Sequence, residues 1–184
     1  MTLEKEIINS RANSPFSFKN KVGRVLWKMI EKTLFRWSPR PFFGWRRFLL
    51  RLFGAKIGKG VHIYPGVMCW APWNIEVGSH TGIADGVTLY SQDKIVIGSR
   101  CVISQGAHLC TGTHDYKTPF YKLITKPIVI KDYCWIAAEA FIHPGVIINE
   151  GVVVGARSVV LSALPEWSVC AGNPCVLLKK RKQS

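Results

Sequence analysis

The chain has 184 residues, 48% of them hydrophobic and 11% aromatic, which is enough for one folded domain with a sizeable core. The formal net charge is +14, and thirteen Lys or Arg accompany a single acid between Arg11 and Gly60, so the charge belongs to one end of the chain. No run of eighteen apolar residues occurs, which argues against a membrane-spanning segment.

The cysteines and the first residues bear on the cellular compartment. The six cysteines have no zinc-site spacing, and the opening stretch, MTLEKEIINSRANS, lacks the apolar core of a signal peptide. We therefore expect a cytoplasmic protein with reduced thiols and no bound metal.

The first predicted element in chain order is a basic amphipathic helical segment, residues 1–54. Within 18–37, apolar residues share one helical stripe and the basic residues fall largely elsewhere. Pro39 and Pro41 end this helix, and a second short apolar pattern with interspersed arginines runs to Gly54. The stripe comprises Phe18, Val22, Val25, Leu26, Met29, Ile30 and Trp37.

Two interpretations of this segment remain open. The helices could cap the first unit of the domain that follows, with their basic face in solvent. Alternatively, residues 18–53 could lie in a membrane interface, as basic amphipathic helices with Trp and Phe on the apolar face do. The composition also permits nucleic-acid binding, but no recognition motif supports it, so we do not expect nucleic acid as a partner.

From Ile57 onwards, apolar residues recur every six positions in groups of three, and the gaps between successive groups are 8, 8, 21 and 6 positions. Eleven of the sixteen glycines fall at two of the six positions of this repeat, which marks backbone corners. A period of six suits a short strand followed by a tight corner rather than a helix. We therefore predict an all-β solenoid over residues 55–178, a parallel β-helix of about five triangular turns whose ends need capping. The apolar series is Ile57, Ile63, Cys69, Val77, Ile83, Leu89, Ile97, Ile103, Leu109, Ile130, Ile136, Ile142, Ile148, Val154, Val160 and Val169.

The repeat stops between Leu109 and Ile130, which predicts a loop, residues 110–129, that protrudes from one corner. His114 lies near the start of this loop and Asp115 follows it. The ordinary pKa of histidine lies near neutrality, so a histidine here could remove a proton from an attacking hydroxyl, although His114 could equally be a loop residue without a role. Asp115 could orient the imidazole or cap the turn of its own loop.

Three stretches, together with the hexads, carry a resemblance to a known family. They are CVISQGAHLCTGTHDY at 101–116, LITKPIVIKDYCWIAAEAFIHPGVII at 123–148 and VCAGNPCVLLKK at 169–180. Over roughly residues 55 to 180 the chain resembles the hexapeptide-repeat acyltransferases, particularly the sugar O-acetyltransferases of the colanic-acid type. The resemblance implies a left-handed parallel β-helix, a homotrimer with active sites at subunit interfaces, acetyl-CoA as cosubstrate and a sugar or glycan acceptor. It also implies that His114 is the general base.

The same resemblance assigns coenzyme contacts residue by residue. Ala138 and Ala156, which are one turn of three hexads apart, match small residues whose backbone meets the pantetheine arm, although they could simply pack a corner. Trp135 would flank the same groove, or belong to a subunit interface. Lys179 opens a basic tail, residues 179–184, that would meet the phosphates or remain a solvated end.

The acceptor side of the site is less well defined. Where relatives carry an asparagine that assists catalysis, an ungapped match places Ala84, with Asp85 beside it. The oxyanion stabiliser therefore stays open between a backbone amide and Ser104. His108 is either structural or substrate-facing. We take Asp85, Ser104 and His108 as candidate substrate contacts.

The sequence therefore predicts an acetyl-CoA-dependent O-acetyltransferase that acts on a sugar hydroxyl of a bacterial surface polysaccharide or its precursor. Such an enzyme would be cytoplasmic, with a peripheral contact to the inner face of the cytoplasmic membrane as an open alternative. Oxygen and nitrogen acceptors are not distinguished, because one base serves either. The rival hypothesis is a non-catalytic β-helix scaffold or membrane-recruited binding protein.

Overall fold

The computed structural model describes residues 16–118 and 120–182. Residues 1–15 of the predicted helical segment, Pro119 of the predicted loop and residues 183–184 of the predicted tail therefore lie outside the described residues. The described helices are α1 (Phe18–Ile30), a π-helical turn (Glu31–Phe35), α2 (Phe43–Leu52) and a 3₁₀ turn (Pro72–Asn74).

Short strands occupy most of the remaining described chain. They are β1 (Lys56–Ile57), β2 (His62–Ile63), β3 (Met68–Cys69), β4 (Ile75–Val77), β5 (Gly82–Ile83), β6 (Thr88–Tyr90), β7 (Ile95–Ile97), β8 (Val102–Ile103), β9 (His108–Cys110), β10 (Gly112–Asp115), β11 (Lys122–Thr125), β12 (Ile128–Ile130), β13 (Trp135–Ile136), β14 (Phe141–Ile142), β15 (Ile147–Ile148), β16 (Val153–Val154), β17 (Val159–Val160), β18 (Ser168–Ala171) and β19 (Val176–Lys180).

Three parallel sheets form the faces of a triangular prism. Sheet A has the order β1-β4-β7-β12-β15, sheet C has the order β3-β6-β9-β14-β17, and sheet B runs β2-β5-β8-β13-β16-β18 with β19 antiparallel at its end. Because the chain visits A, B and C in turn, each circuit is one turn of a parallel β-helix. The β-helix is left-handed. The predicted fold class is confirmed, but β18 begins a further turn, so the solenoid has about six turns rather than five.

The hexad residues fill the interior of this prism. On sheet B, for example, Ile63, Ile83, Ile103, Ile136 and Val154 stand in register on successive turns, and each is almost fully buried. Burial of one such side chain stabilises the fold by about 1.5–3 kcal/mol. Each turn therefore buries its apolar residues against its neighbours, as the period of six predicts.

The last member of the predicted apolar series is wrong. Cys170, not Val169, is buried opposite Val154, and Val169 faces outwards. The cause is a short corner: only four positions separate Val160 on sheet C from the buried Leu164, which bridges to sheet A. From Leu164 to Cys170 the spacing of six resumes.

The corners explain in two ways why glycines recur at fixed positions of the six-residue repeat. A Cβ atom on Gly98 would lie 2.3 Å from Asp132 Oδ1 and 2.7 Å from the Asp132 amide nitrogen, so the close approach of successive turns requires glycine there. Gly106 instead has φ +71°, a left-handed conformation that costs glycine little.

Arginines of α2 cap the open edge of the first turn. Among the described residues no strand precedes β1, so the first-turn carbonyls need donors other than a neighbouring strand. Arg51 donates to the Ile57 carbonyl at 2.6 Å, and Arg47 donates to the Val61 carbonyl at 2.7 Å. Arg46, which is fully buried, donates to the Ile63 carbonyl.

Helix α1 and the π-helical turn cap the third side of the same turn. Trp27 Nε1 donates to the Cys69 carbonyl at 2.8 Å, and the Cys69 amide donates to Glu31 Oε1 at 2.7 Å. These contacts support the capping interpretation of the helical segment. The buried face of α1, however, is not the predicted stripe: Trp27 is inside, whereas Phe18 and Met29 are 81% and 62% exposed.

The predicted loop 110–129 contains a β-hairpin. Strand β10 pairs antiparallel with β11, and His114 stands opposite Leu123. The hairpin leaves the corner between sheets C and A, and the Lys126 amide closes its base on the Thr111 carbonyl at 2.9 Å. The predicted irregular loop is thus partly regular, because four residues on each side of it pair as strands.

Candidate active site

His114 lies on the exposed β10 strand of the hairpin. Its Nδ1 is 2.6 Å from the Tyr121 carbonyl oxygen. Because a carbonyl can only accept, Nδ1 must carry the proton in this contact. In the neutral ring Nε2 then holds the free lone pair, which is the form that a general base requires.

The turn of the hairpin holds this contact in place. Tyr121 has φ +47°, and its carbonyl reaches back to the imidazole. Asp115 Oδ1 accepts the Lys117 amide at 2.9 Å, and the Asp115 carbonyl accepts the Thr118 hydroxyl at 3.0 Å. Asp115 therefore caps the turn of its own loop. The group that contacts the imidazole is instead the Tyr121 carbonyl, which no feature of the sequence indicates.

A groove of about 540 Å³ runs along the outer surface of sheet B. Small or short side chains, including Gly82, Ala84 and Val102, leave room for it, and Asp85 and Ser104 line one side. The two oxygens of Asp85 are engaged by the Gly66 amide at 2.8 Å and by the Arg40 guanidinium at 3.1 Å.

The predicted coenzyme residues continue along the same outer surface. One column of outward-facing side chains crosses neighbouring strands of sheet B in register. It consists of Trp135, Val153, Val169 and Lys179. Trp135 Nε1 donates to the Ser104 hydroxyl oxygen at 2.9 Å, which joins this column to the groove. The column is apolar along most of its length and ends in a cation.

Ala138 and Ala156 occupy the corner between sheets B and C on successive turns. The Arg157 amide donates to the Ala138 carbonyl at 2.8 Å, and Arg157 forms an ion pair with Glu139 at 2.7 Å. Ala156 is exposed, so its short side chain leaves the backbone of this corner open to a ligand.

The basic tail is ordered as far as it is described. Lys179 belongs to β19, and Arg181 donates to the carbonyls of Gly151 and Tyr133 at 2.9 and 3.0 Å. The first part of the predicted tail is therefore fixed on the end of sheet B and not a loose, solvated end.

His108 stands apart from the other candidate substrate contacts. It points outwards from sheet C, where its ring lies 5.2 Å from Phe141 and 6.3 Å from Tyr90, and it does not line the groove on sheet B. Burial lowers the pKa of His108 below its ordinary value of 6.5. Its surroundings therefore favour the neutral ring of a packed structural residue.

Stability should consequently fall as the pH falls below about 6.5. The folded state resists protonation of His108, whereas the unfolded chain takes up the proton, so acid favours unfolding. Replacing His108 by Phe should remove this share of the pH dependence, because phenylalanine does not titrate. Urea unfolding at pH 7.5 and 5.5 measures the effect, and an unchanged pH difference in the variant would contradict it.

Comparison with known proteins identifies the family to which the chain belongs. Residues 127–162 match the family model described as bacterial transferase hexapeptide (six repeats). Over 165 residues the chain is 46% identical to WcaF of Escherichia coli K12, a protein named as a colanic acid biosynthesis acetyltransferase, and the match covers 90% of this chain and 91% of WcaF. The chain belongs to the hexapeptide-repeat acetyltransferases.

Solved acetyltransferases share the whole architecture. A hexapeptide-repeat acetyltransferase from Vibrio cholerae O1 biovar eltor, in complex with acetyl coenzyme A, superposes with a TM-score of 0.83 at 26% identity and covers 100% of both chains. A maltose O-acetyltransferase from Clostridium difficile 630 gives 0.82 at 26% identity, over 91% of this chain and 90% of its own. The resemblance seen in the sequence is thus confirmed, and so is an acyltransferase activity.

The candidate residues of this acetyltransferase divide between two sides of the prism. The groove, Trp135 and Lys179 lie on the outside of sheet B, and Ala138 and Ala156 lie at its edge. His114 lies on the hairpin at the corner between sheets C and A, which in a triangle is the corner opposite face B. The body of the prism therefore separates His114 from the groove of its own chain.

Within residues 16–118 and 120–182, no group of three or more His, Cys, Asp and Glu side chains could hold a metal ion. The expectation that the protein binds no metal stays a prediction. All six cysteines of the acetyltransferase lie in the described part and are free thiols. Among the described helices, none combines the length and the apolar character needed to cross a bilayer.

Proposed function

We propose that this acetyltransferase transfers the acetyl group of acetyl-CoA to a sugar hydroxyl of a bacterial surface polysaccharide or its precursor, with His114 as the general base. The observation that carries the proposal is the contact between His114 Nδ1 and the Tyr121 carbonyl, because in the neutral ring it leaves the lone pair on Nε2. The 46% identity to a protein named for colanic acid biosynthesis supports the acceptor class.

The proposed reaction has two proton transfers. Nε2 of His114 takes the proton of the sugar hydroxyl as the oxygen attacks the thioester carbonyl carbon. The Tyr121 carbonyl then stabilises the imidazolium by accepting a hydrogen bond from its Nδ1–H group. When the carbon–sulfur bond breaks, the imidazolium returns the proton to the departing thiolate, which leaves as coenzyme A.

Ser104 is a candidate for stabilising the oxyanion. Its oxygen already accepts the Trp135 Nε1 proton, so its own hydroxyl proton is available to a developing negative charge. A backbone amide remains the alternative donor. Ser104 lies where the groove meets the column that starts at Trp135. A thioester bound along the column and a hydroxyl bound in the groove would meet there.

The acceptor would occupy the groove on sheet B. A sugar offers several hydroxyls, and the Asp85 carboxylate beside Arg40 presents both an acceptor and a donor to them. We propose Asp85 and Ser104 as substrate contacts on this ground, whereas the position of His108 on sheet C supports its structural role.

The separation of His114 from the groove supports a homotrimer. The hairpin leaves the corner opposite face B, so the groove of its own chain lies on the far side of the prism and a neighbouring copy is the better-placed partner. We propose that the protein forms a homotrimer in which His114 of each subunit lies beside Ser104 and Trp135 of the next subunit. Each active site would then lie at a subunit interface.

The coenzyme would follow the corner and the column. The short side chains of the half-buried Ala138 and the exposed Ala156 suit the extended pantetheine arm. Trp135 provides an apolar wall, and Lys179 with its basic neighbours suits the phosphates. This arrangement places the thioester near Ser104 and the phosphates near the end of the solenoid.

Calorimetry with coenzyme A tests this assignment. Leucine at Ala156 would extend into the space of the pantetheine arm, so Ala156→Leu should raise the Kd at least tenfold. Ala163→Leu is the matched control, because Ala163 is also exposed but lies off that corner. It should leave the Kd unchanged. If the wild-type protein binds no coenzyme A at millimolar concentration, the non-catalytic scaffold would be the better description.

We also propose a cytoplasmic location with a peripheral contact to the inner face of the cytoplasmic membrane through residues 18–53. Acceptors carried on a membrane lipid would be presented at that surface. The support comes from the charge of the segment and from the direction in which its apolar side chains point.

A further inference from the structure

The helical segment exposes far more apolar surface than its capping role explains. Eleven large apolar side chains between residues 18 and 52 are more than a third exposed. We call them the outer face. They are Phe18, Val22, Val25, Leu26, Met29, Leu34, Trp37, Phe42, Trp45, Phe48 and Leu52.

The cap uses a different set of side chains. Trp27, Glu31, Phe35, Arg46 and Leu49 are buried, and three of them hold the first turn by hydrogen bonds. The fold of the solenoid therefore does not need the outer face. Exposed apolar side chains in this number on one short segment indicate a contact with a partner or a membrane.

Part of the outer face is preformed as a groove of about 710 Å³ between the π-helical turn and α2. Leu34, Trp37, Phe42, Trp45 and Phe48 line it. Trp45 Nε1 donates to the Leu34 carbonyl at 3.0 Å, and the rings of Trp45 and Phe48 stack with centroids 5.8 Å apart. These contacts hold Trp45 and Phe48 in position without a partner.

Cations are interleaved with this surface. Lys21 and Lys32 line a cleft together with Val25 and Met29, and Arg36 is exposed beside Trp37. Within the described ranges, Lys21, Lys32 and Arg36 form no ion pair. Their charge is therefore available to a negatively charged partner.

An anionic lipid surface satisfies both features at once. Aromatic and aliphatic side chains can enter the boundary between headgroups and acyl chains, while lysine and arginine extend to the headgroup phosphates. A second copy of this chain fits less well, because outside the basic segment the charge is close to neutral and offers no strong counter-charge. The charge pattern thus favours lipid.

We infer that the outer face, together with Lys21, Lys32 and Arg36, binds the surface of a bilayer that contains anionic phospholipid, while the opposite face of the same helices caps the solenoid. The inference deepens the membrane contact in the proposed function and names its chemistry. It does not depend on acetyl transfer, so the two can fail separately.

Flotation of the full chain with vesicles tests the inference. The protein should float with phosphatidylcholine vesicles that contain 30% phosphatidylglycerol and at least tenfold less with phosphatidylcholine alone. Replacing both Trp37 and Phe48 by Ser should lower the partition coefficient at least tenfold. Each of Lys21→Gln, Lys32→Gln and Arg36→Gln should lower it about fivefold.

The control carries serine at Leu161 and Leu178, which are exposed apolar residues at the far end of the solenoid. It should float like the wild type. Equal flotation of the Trp37/Phe48 variant and the wild type, or no flotation of the wild type, would overturn the inference. So would a smaller assembly of the Trp37/Phe48 variant in light scattering, because the face would then be a subunit contact. Coenzyme calorimetry on the same samples shows whether the proposed coenzyme binding fails as well.

Discussion

Replacing His114 by Asn should lower the rate of acetyl transfer at least 100-fold, because the variant has no basic nitrogen. The asparagine amide can still donate to the Tyr121 carbonyl, as Nδ1 does, so the hairpin should keep its conformation. Release of coenzyme A thiol measures the rate, with acetyl-CoA and glycan extracted from cells that lack the protein.

Binding of coenzyme A and the mass of the assembly should stay unchanged in this variant, since His114 is proposed to act on the acceptor proton alone. His80→Asn is a matched control: His80 is also an exposed histidine, and asparagine tolerates its φ of +59°. It should retain wild-type turnover. A His114→Asn enzyme within tenfold of the wild type would show that another group removes the proton.

Replacing Arg46 by Met should lower the free energy of unfolding by about 3 kcal/mol or more. Arg46 is fully buried, and its guanidinium donates to the carbonyls of Ile63, Pro39 and Arg40 and to the Ser38 hydroxyl. Methionine keeps the apolar stem but donates nothing, so these acceptors would lose their partners inside the protein.

Urea unfolding at neutral pH measures the loss. Arg36→Met is the control, since Arg36 is exposed on the same segment, and its effect should stay within about 0.5 kcal/mol. A loss below about 1 kcal/mol for Arg46→Met would mean that the buried guanidinium does not hold the first turn in place.

The repeat could be predicted from the sequence because each hexad contributes one buried side chain at a fixed interval. The exception at Cys170 arises from the corner after Val160, which is two residues shorter than a regular hexad allows. No local feature of the sequence indicates this shorter corner. The predicted count of about five turns is low by about one, because the apolar series holds a single residue after Val160, whereas β18 begins a further turn.

The orientation of the N-terminal helices could not be predicted from periodicity. An apolar stripe indicates which residues share a side, but it does not say whether that side faces the core. Here the unpaired backbone of the first turn requires polar donors, so the buried face includes Arg46 and Glu31 rather than the stripe. The membrane and cap interpretations are therefore compatible, because they use opposite faces.

The candidate site was predictable only where side chains carry the chemistry. His114 stood out as the histidine in the one long interruption of the repeat, and the resemblance supplied Ala138 and Ala156. The Tyr121 contact is made by a backbone carbonyl, so no residue type signals it. The placement of His114 opposite face B follows from the order of the three sheets, which a linear pattern does not show.

Mass spectrometry of surface polysaccharide tests the central claim most directly. Cells that lack the protein should produce a glycan without the acetyl group that wild-type cells add, and the wild-type chain should restore it. The His114→Asn chain, expressed to the same level, should not. Identical acetylation of the polysaccharide with and without the protein would contradict the proposed function.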